Sequence, residues 1–486
     1  MELFSAIVGD LVSRSLSFMI DRYLKAEPSV DDSLRRLHQL LLRIRTIVEE
    51  AEGRNVTNPG MICQLKVLRE EMFRGYCVLD AFKYRTLRRD ESRDEEEVSH
   101  SFALSRFNQA KRIRFSSSSS NTPPSIVVSM KDLQKMVSGL EDIIGDTKEF
   151  VVFLMSYPPS PLYRQPYSMH LYLDKCMFSR HMEREHVIAF LLSSSRDHDH
   201  LCAESVEVLP IVGPPQVGKS TLVENVCADE RVRKHFSLIL YYSAENLDAE
   251  KASSFSETCV TKHQNNDAVD GRLLVIMELV GDVDDKAWKK LCSSSPHPQG
   301  SKIIITSQSE EITRLGTTQA LRLQQLQFEA FWYFFKVLVF GSTDPEEHPR
   351  LASMAMEMAT ELRGCFMCAH IAGALLRDNF TAQFWRRLLA FSREYKKYPF
   401  ASSNCQDGTS TKDHPRHGWE IAKSKPAKYF LLRNSYQKAL AQDDGPKITL
   451  ADLLFGSVKR RGRFEVLVWK SYIPPYYSYI SNCTLV

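Results

Sequence analysis

Long apolar runs and a bias toward charge of one sign are both missing from this 486-residue sequence. Because it has no run of about 18 apolar residues, no membrane-spanning helix is predicted. Lys and Arg (63 residues) nearly balance Asp and Glu (60 residues), and a formal net charge of +3 gives no general indication of nucleic-acid or membrane binding. Charged residues interrupt the apolar stretch 1–20 and no small-residue cleavage site follows it, so no signal peptide is predicted.

Paired cysteine motifs are also missing. The 11 cysteines are scattered and odd in number. Cys365 and Cys368 form a single C-x-x-C, without a second pair and without histidines at metal-ligand spacing. We interpret them as buried thiols in a reducing compartment, with a zinc site as the alternative.

The composition is otherwise that of a folded protein, with 43% hydrophobic and 25% charged residues. A chain of this length exceeds one hydrophobic core, so about three domains are expected. Residues 1–157 predict an N-terminal four-helix bundle, because apolar residues recur at helical spacing in four segments. These stripes run from Leu3 to Leu16, from Leu34 to Ala51, from Leu65 to Phe82 and from Met130 to Ile144.

A change of composition interrupts the bundle at about residues 88–128, where a charged run, a serine tract and two prolines predict a flexible insert. Its basic cluster of Lys111, Arg112 and Arg114 is either a solvated loop, which we favour, or a signal for an anionic partner or for the nucleus. Prolines then predict an extended linker over 158–174.

The middle of the chain alternates between short apolar strands and helices. Over 175–328 this pattern predicts a doubly wound parallel sheet, with strands at 207–212, 238–242, 273–277 and 303–306. A small helical domain is expected over 329–395. Residues 396–486 form a tail of uncertain fold, with a turn-rich stretch, a helical piece and an aromatic end.

A phosphate-binding loop is the clearest functional signal. Residues Gly213 to Ser220 match G-x-x-x-x-G-K-S, between an apolar strand and a helix. The glycines let the backbone curl around phosphates, Lys219 supplies charge, and the Ser220 hydroxyl is a ligand for Mg²⁺. The predicted nucleotide-binding residues of this segment are Gly213, Pro214, Pro215, Gln216, Val217, Gly218, Lys219, Ser220 and Thr221.

A P-loop enzyme also needs a carboxylate at the end of a neighbouring strand. In this sequence Met277 stands where the magnesium-organising Asp is usual, and Glu278 is the only acid directly at the strand end. Glu278 is therefore the candidate catalytic carboxylate of an incomplete site. Such a site favours nucleotide binding over hydrolysis, because the backbone loop and Lys219 are retained.

The order of these motifs resembles a plant coiled-coil NB-ARC disease-resistance protein over roughly residues 1 to 395. Residues 68–82 resemble the acidic motif of the third bundle helix, with Tyr76 and Cys77 in place of its Glu-Asp pair. Residues 178–180 resemble the motif that contacts the adenine side, with Ser179 in place of Gly, which makes Arg180 a site residue. Residues 300–308 resemble the fourth-strand motif, with Gln308 where the family has an Arg that senses the γ-phosphate.

Other family motifs are reduced or missing. Gly364 alone remains of the family's Gly-Leu-Pro-Leu loop, and neither a Met-His-Asp motif nor a leucine-rich repeat period is found. The resemblance therefore implies a truncated, degenerate member without leucine-rich repeats.

Three hypotheses follow from the resemblance. The first is a plant immune regulator that binds ADP or ATP, with Mg²⁺ as accompanying ion, and that acts on other immune or signalling proteins through its bundle. The second is a slow ATPase switch that uses Glu278, and the third is a nucleotide-independent adaptor with a vestigial fold. The resemblance implies a cytoplasmic protein, with the nucleus as alternative, and assembly into homo-oligomers. Neither a nucleic-acid partner nor a membrane span is expected.

Overall fold

The structure is a computed structural model in which a large part of the chain is described. The described residues are 29–54, 56–101, 129–158, 177–193, 206–244, 260–264, 271–279, 288, 298–362, 364–395, 419–422, 429–439, 446–455, 462–471, 473 and 476–485. The predicted first helix, from Leu3 to Leu16, and the basic cluster at 111–114 lie outside these residues. No helix in the described part of the chain is both long enough and apolar enough to span a membrane.

Two compact units are formed by the chain. The first comprises Met1–Tyr172, Gln327–Arg363 and Leu376–Tyr395, and the second comprises Leu173–Leu326, Gly364–Leu375 and Lys396–Val486. The domain boundaries that the sequence suggested at 157, 174, 328 and 395 stay a prediction.

The N-terminal part of the first unit is a helical bundle, as the apolar stripes predict. Its helices are α1 (Val30–Glu52), α2 (Pro59–Ser101), α3 (Met130–Asp146) and α4 (Lys148–Leu154). Side chains cap two of them: Ser29 accepts from the Asp32 N–H, and Ser129 forms a reciprocal capping box with Asp132. The core consists of fully or almost fully buried apolar residues, among them Leu37, Leu40, Leu41, Ile44, Leu65, Phe73, Leu133 and Leu140.

Helix α2 continues to Ser101, so the first part of the segment 88–128, which the sequence predicts as an insert, is helical. The charged run there is rich in Arg and Glu, which are good helix formers even without an apolar stripe. The remainder of that insert lies outside the described residues.

The first unit also contains three further helices, which lie largely in the region 329–395 where the sequence predicts helices. They are α8 (Phe328–Phe340), α9 (Pro349–Leu362) and α11 (Ala382–Tyr395). Both α8 and α9 pack against α2. Asp80 on α2 accepts hydrogen bonds from Trp332 Nε1 at 2.8 Å and from Lys336 Nζ at 2.6 Å, and the ring of Tyr76 lies 5.4 Å from that of Tyr333. The motif at residues 68–82 thus packs against α8 through Asp80 and aromatic rings.

The second unit is built on a six-stranded sheet in the order β3-β2-β4-β5-β1-β6. The strands are β1 (Glu207–Val212), β2 (Leu238–Ala244), β3 (Val260–Gln264), β4 (Leu273–Leu279), β5 (Lys302–Ser307) and β6 (Leu321–Arg322). All four predicted strands are confirmed as β1, β2, β4 and β5, and they pair in parallel. The sheet as a whole is mostly parallel, and the additional edge strand β3 runs antiparallel to β2.

Both faces of this sheet are apolar. Helices α5 (His181–Leu192), α6 (Lys219–Cys227) and α7 (Glu230–His235) contribute to the core on one face, together with Leu209 and Ile211 of β1. Val208 and Val212 of the same strand belong to a separate core on the other face. Two-sided burial explains why the strands consist of continuous apolar runs rather than alternating ones.

A second sheet in the C-terminal region is absent from the sequence prediction, which gave a tail with only a helical piece. Strands β7 (Trp419–Ala422), β8 (Tyr429–Ala439), β9 (Arg463–Lys470) and β10 (Tyr477–Leu485) pair antiparallel in the order β7-β8-β10-β9. The short helix α12 (Leu450–Phe455) is the predicted helical piece. Helix α12 and the strands β9 and β10 share one apolar core, to which Ile371 of α10 (Phe366–Asp378) adds a partly buried side chain. The buried residues of this core are Leu450, Leu453, Phe464, Val466 and Cys483.

Candidate nucleotide site

The P-loop connects β1 to α6 and has the backbone that its glycines permit. Gly218 has φ +96°, in the left-handed region, and ends the loop at the start of α6. Gly213 faces a close approach of the chain, since a Cβ added there would lie 2.3 Å from the carbonyl oxygen of Leu323. That approach is fixed by a 2.8 Å hydrogen bond from the Leu323 N–H to the Val212 carbonyl.

The N-terminus of α6 is open to an anion. Its N-cap residue, Gly218, offers no side-chain hydrogen bond to the first-turn N–H groups. Such N–H groups carry the positive end of the helix dipole and suit a phosphate. Of the other loop residues, Pro214 and Pro215 are exposed, Val217 is buried in the core, and Thr221 on α6 is partly buried.

Lys219 lies against the loop that precedes it. Its ammonium donates to the carbonyl oxygens of Gly213 at 2.7 Å and Pro214 at 2.8 Å. Burial lowers the pKa of Lys219 from its ordinary 10.5 to about 8, although the nearby Glu278 carboxylate raises it. The positive charge is therefore poorly compensated where phosphates are expected, and an anion would stabilise it.

Glu278 on β4 faces the P-loop. Its Oε1 accepts a hydrogen bond from the Ser220 hydroxyl at 2.6 Å, and its Oε2 accepts one from the Tyr241 hydroxyl on β2. Met277, the preceding residue, is fully buried in the core on the opposite face of the sheet. Successive side chains of a strand point to opposite faces, so Glu278, and not Met277, faces the P-loop. A part for Glu278 in holding Mg²⁺ stays a prediction.

Two further predicted site residues have different surroundings. Gln308 is exposed and directly follows β5, whose last residue, Ser307, pairs with Val212 at the start of the P-loop. Gln308 therefore lies at the same edge of the sheet as the loop. Arg180 is buried and forms an ion pair with Glu183 at 3.0 Å.

Arg180 also donates to the carbonyl oxygen of Gln324. The contact with Glu183 lies within the start of α5, and the contact with Gln324 connects that start to the segment after β6. An adenine-side contact of Arg180 stays a prediction. The neighbouring Ser179 has φ +58°, the left-handed conformation that explains why glycine suits this position.

Two residues near the site were missed by the sequence reasoning. Tyr241 lies on β2, beside β4, and gave no motif signal. The Cys365 thiol donates to Oε1 of Gln216 in the P-loop at 3.3 Å. Cys365 and Cys368 are half-buried residues, less buried than Cys77 and Cys227. No group of three or more metal-ligating side chains is found in the described residues, and the zinc alternative has no support there.

Comparisons with known proteins agree with this site. The Rx N-terminal domain model matches residues 7–117, and the NB-ARC domain model matches residues 196–345. Disease resistance protein RGA2 of Solanum bulbocastanum is 20% identical over 378 residues, which cover 74% of this chain and 36% of that protein. The RPP13-like protein 1 of Arabidopsis thaliana, also named for disease resistance, is 22% identical over 408 residues, covering 80% of this chain and 37% of that protein.

Both relatives are much longer than the aligned region, and this chain spans well under half of their length. The absence of leucine-rich repeats in the whole protein therefore stays a prediction. The two family models match in the order of bundle and P-loop sheet that the structure has, and the relatives align across both. The chain belongs to the coiled-coil NB-ARC class of plant disease-resistance proteins.

Proposed function

We propose that this protein is a regulator of plant defence that retains ADP or ATP in its P-loop and acts on other proteins through its helical bundle. The observation that supports nucleotide binding best is the conjunction of three features around one loop. These are the uncapped N-terminus of α6, the partly buried ammonium of Lys219, and the Ser220 hydroxyl beside the Glu278 carboxylate. Together they offer N–H donors, a cation and oxygen ligands, which is what a nucleoside polyphosphate with Mg²⁺ requires.

The residues present fit such a ligand. The loop backbone from Gly213 to Ser220 and the Lys219 ammonium would hold the phosphates. Ser220 and Glu278 would hold Mg²⁺, which prefers oxygen ligands and commonly takes one or two carboxylates together with substrate phosphates. Bound Mg²⁺ would neutralise phosphate charge, and the chain itself would bind and orient the nucleotide.

Slow or absent hydrolysis is part of the proposal. A hydrolase needs a group that orients the attacking water in addition to the metal-organising acid. Glu278 already hydrogen-bonds Ser220 and Tyr241, and in the described part of β4 it is the only carboxylate. The slow-ATPase alternative requires Glu278 to take both roles.

The bundle supplies a candidate surface for protein partners. On α2, the face that carries Asp80 is covered by α8, whereas Val152 and Phe153 on α4 are 59% and 58% exposed. Exposed apolar side chains are typical of interaction sites when they cluster. Partners of this surface would be other immune or signalling proteins or a second copy of this chain. A cytoplasmic location, with the nucleus as alternative, completes the proposal, and free cysteines such as Cys63 and Cys77 suit a reducing compartment.

The test is the identity of the nucleotide that co-purifies with the protein. Native protein is purified, denatured, and its released nucleotide is identified by chromatography. Lys219→Ala is compared with Lys234→Ala, a matched control because Lys234 is exposed on α7 and pairs only with the exposed Glu230. We expect stoichiometric ADP from the wild type and from Lys234→Ala, and an empty Lys219→Ala.

Empty protein that also fails to take up added ADP or ATP would contradict the proposal. The nucleotide-independent adaptor would then be the better description. Phosphate release above the Lys219→Ala level would favour the ATPase alternative.

A further inference from the structure

Cys365 and Cys368 are held side by side at the start of α10. The carbonyl of Cys365 accepts the first helical hydrogen bond, from the Ala369 N–H at 3.0 Å. The Cys368 N–H donates to Cys365 Sγ at 3.4 Å. Two cysteines three residues apart, joined by this hydrogen bond at a helix N-terminus, have the arrangement of a C-x-x-C redox pair.

This pair contacts the P-loop. The Cys365 thiol donates to the side-chain oxygen of Gln216 at 3.3 Å. Gln216 has φ +60°, a left-handed conformation that is uncommon for a residue other than glycine. Because such a backbone persists only where its surroundings hold it, contacts of the Gln216 side chain help to set the shape of the loop.

The two thiols differ in reactivity. Hydrogen bonding with Cys368 lowers the pKa of Cys365, and the same hydrogen bonding, together with burial, raises the pKa of Cys368 well above its ordinary value. The dipole of α10 adds to the stabilisation of a Cys365 thiolate. Both residues keep part of their surface exposed, in contrast to the buried Cys77 and Cys227.

We propose that Cys365 and Cys368 form a reversible dithiol–disulfide centre that controls how firmly the P-loop is held. The oxidant is a hydroperoxide such as hydrogen peroxide. The Cys365 thiolate attacks one peroxide oxygen, the O–O bond breaks, and Cys365 sulfenic acid and hydroxide form; the thiol proton converts the hydroxide into water. Cys368 then attacks the Cys365 sulfur, the S–O bond breaks, and a disulfide and a second water form. A dithiol such as dithiothreitol reverses the reaction by exchange.

The disulfide removes the donor that Cys365 offers to Gln216. Without it, the left-handed residue of the loop loses a side-chain contact, so the loop should open more often and release its ligand faster. This last step rests on the proposed nucleotide binding, whereas the chemistry of the thiol pair does not.

The test uses the full chain, reduced first and then treated with stoichiometric hydrogen peroxide. Peptide mass spectrometry detects a Cys365–Cys368 disulfide, and hydrogen–deuterium exchange of the P-loop peptide reports on the loop without any nucleotide. Cys365→Ser and Cys368→Ser are compared with Cys63→Ser, a control at an exposed cysteine. Cys365→Ala serves if Cys365→Ser fails to fold.

We expect the disulfide in the wild type and in Cys63→Ser, and a trapped sulfenic acid at Cys365 in Cys368→Ser. Oxidation should raise P-loop exchange, and should speed release of a fluorescent ADP analogue roughly tenfold, the effect of losing about one hydrogen bond. Dithiothreitol should reverse both changes, and Cys365→Ser should show neither. Oxidation of Cys63 with no Cys365–Cys368 disulfide, or a disulfide that leaves P-loop exchange unchanged, would overturn the proposal. Protein that binds no nucleotide in either state would refute the proposed function instead, while the disulfide and exchange results still decide the redox centre.

Discussion

The Ser220 hydroxyl on α6 donates a 2.6 Å hydrogen bond to the Glu278 carboxylate on β4. This contact crosses from the P-loop to β4, which β5 separates from β1 in the sheet, and it joins the two groups that would share Mg²⁺. Met277, one residue earlier, faces the opposite core and is fully buried. The strand thus has one acid that faces the P-loop, Glu278, which is the carboxylate that the sequence offered as candidate.

The orientation of Met277 leads to a prediction about repairing the motif. Met277→Asp restores the usual sequence, but it should bury an unpaired carboxylate and lower the free energy of unfolding by several kcal/mol. Urea unfolding measures the change. Met277→Leu, which conserves volume, should cost less than about 1.5 kcal/mol. A Met277→Asp protein that is as stable as the wild type and gains ATPase activity would show that Met277 faces the P-loop after all.

Glu278 should govern the dependence of nucleotide binding on Mg²⁺. Glu278→Ala removes the carboxylate beside Ser220, so we expect Mg²⁺ to improve ATP binding far less than in the wild type, with a difference of about tenfold or 1.4 kcal/mol. Calorimetric titration with and without Mg²⁺ measures it. Tyr241→Phe is the matched control, because it removes the other hydrogen bond to Glu278 and leaves the carboxylate in place. Equal Mg²⁺ dependence in Glu278→Ala and the wild type would exclude Glu278 as a metal ligand.

Lys219 should make nucleotide affinity depend on pH. Burial lowers its pKa from 10.5 to about 8 in the free protein, so the ammonium loses its proton as the pH rises through that value. Bound phosphates stabilise the charged form, and binding above about pH 8 must therefore take up a proton. The Kd for ADP should stay level from about pH 7 to 8 and then rise by up to tenfold per pH unit.

Calorimetry in two buffers of different ionisation enthalpy measures this proton uptake directly. Lys219→Arg is the control, because a guanidinium stays charged throughout the range and its affinity should not vary with pH. The folded state binds fewer protons than the unfolded state between about pH 8 and 10.5, so the stability of the nucleotide-free wild type should increase across that window. A flat affinity profile in the wild type would contradict the lowered pKa.

The P-loop could be predicted because the residues that define it are contiguous in the sequence. Strand, glycines, Lys219 and Ser220 follow one another within fifteen residues (207–221), and the same pattern holds in the structure. The groups that complete the site come from elsewhere in the chain. Tyr241 and Cys365 reach Glu278 and Gln216 only because the fold brings their elements together. No local sequence pattern predicts such contacts.

The C-terminal sheet shows a different reason why strands can be missed in a sequence. Strand β10 contains two serines that are almost fully buried, Ser478 and Ser481, each 1% exposed. Polar residues at inward positions obscure the alternation by which half-buried strands are recognised. The antiparallel edge strand β3 was missed because it consists of five residues of mixed polarity.

Asp80 should be essential for the packing of α2 against α8. It is 6% exposed, and it accepts hydrogen bonds from Trp332 and Lys336, which itself is largely buried. Asp80→Ala leaves the Lys336 charge without its partner, so we expect a loss of about 3 kcal/mol in the free energy of unfolding. Urea unfolding followed by circular dichroism measures the loss.

Asp80→Asn separates the two contacts of this carboxylate. It retains an acceptor for the Trp332 N–H and removes the charge, so its loss should be clearly smaller than that of Asp80→Ala. Glu70 provides a surface control, because it lies on the exposed side of α2 and pairs only weakly with Lys66 at 3.9 Å. Glu70→Ala should change stability by less than about 0.5 kcal/mol. Equal effects of Asp80→Ala and Glu70→Ala would show that the buried contact contributes nothing.

Gly213 should tolerate no side chain, since an added Cβ would lie 2.3 Å from the backbone oxygen of Leu323. The two backbone segments that meet here are hydrogen-bonded to each other. The clash with an added Cβ can therefore be removed only if β1 and the segment after β6 move apart. Gly213→Ala should therefore cost a few kcal/mol of stability and weaken ADP binding. Gly139→Ala in α3 is the matched control, because nothing lies within 4 Å of its added Cβ, and there alanine should stabilise the helix by up to about 1 kcal/mol. Thermal unfolding and ADP titration compare the two variants. If Gly213→Ala melts and binds like the wild type, the close approach of Leu323 does not shape the loop, and the requirement for glycine at this position must come from the phosphates themselves.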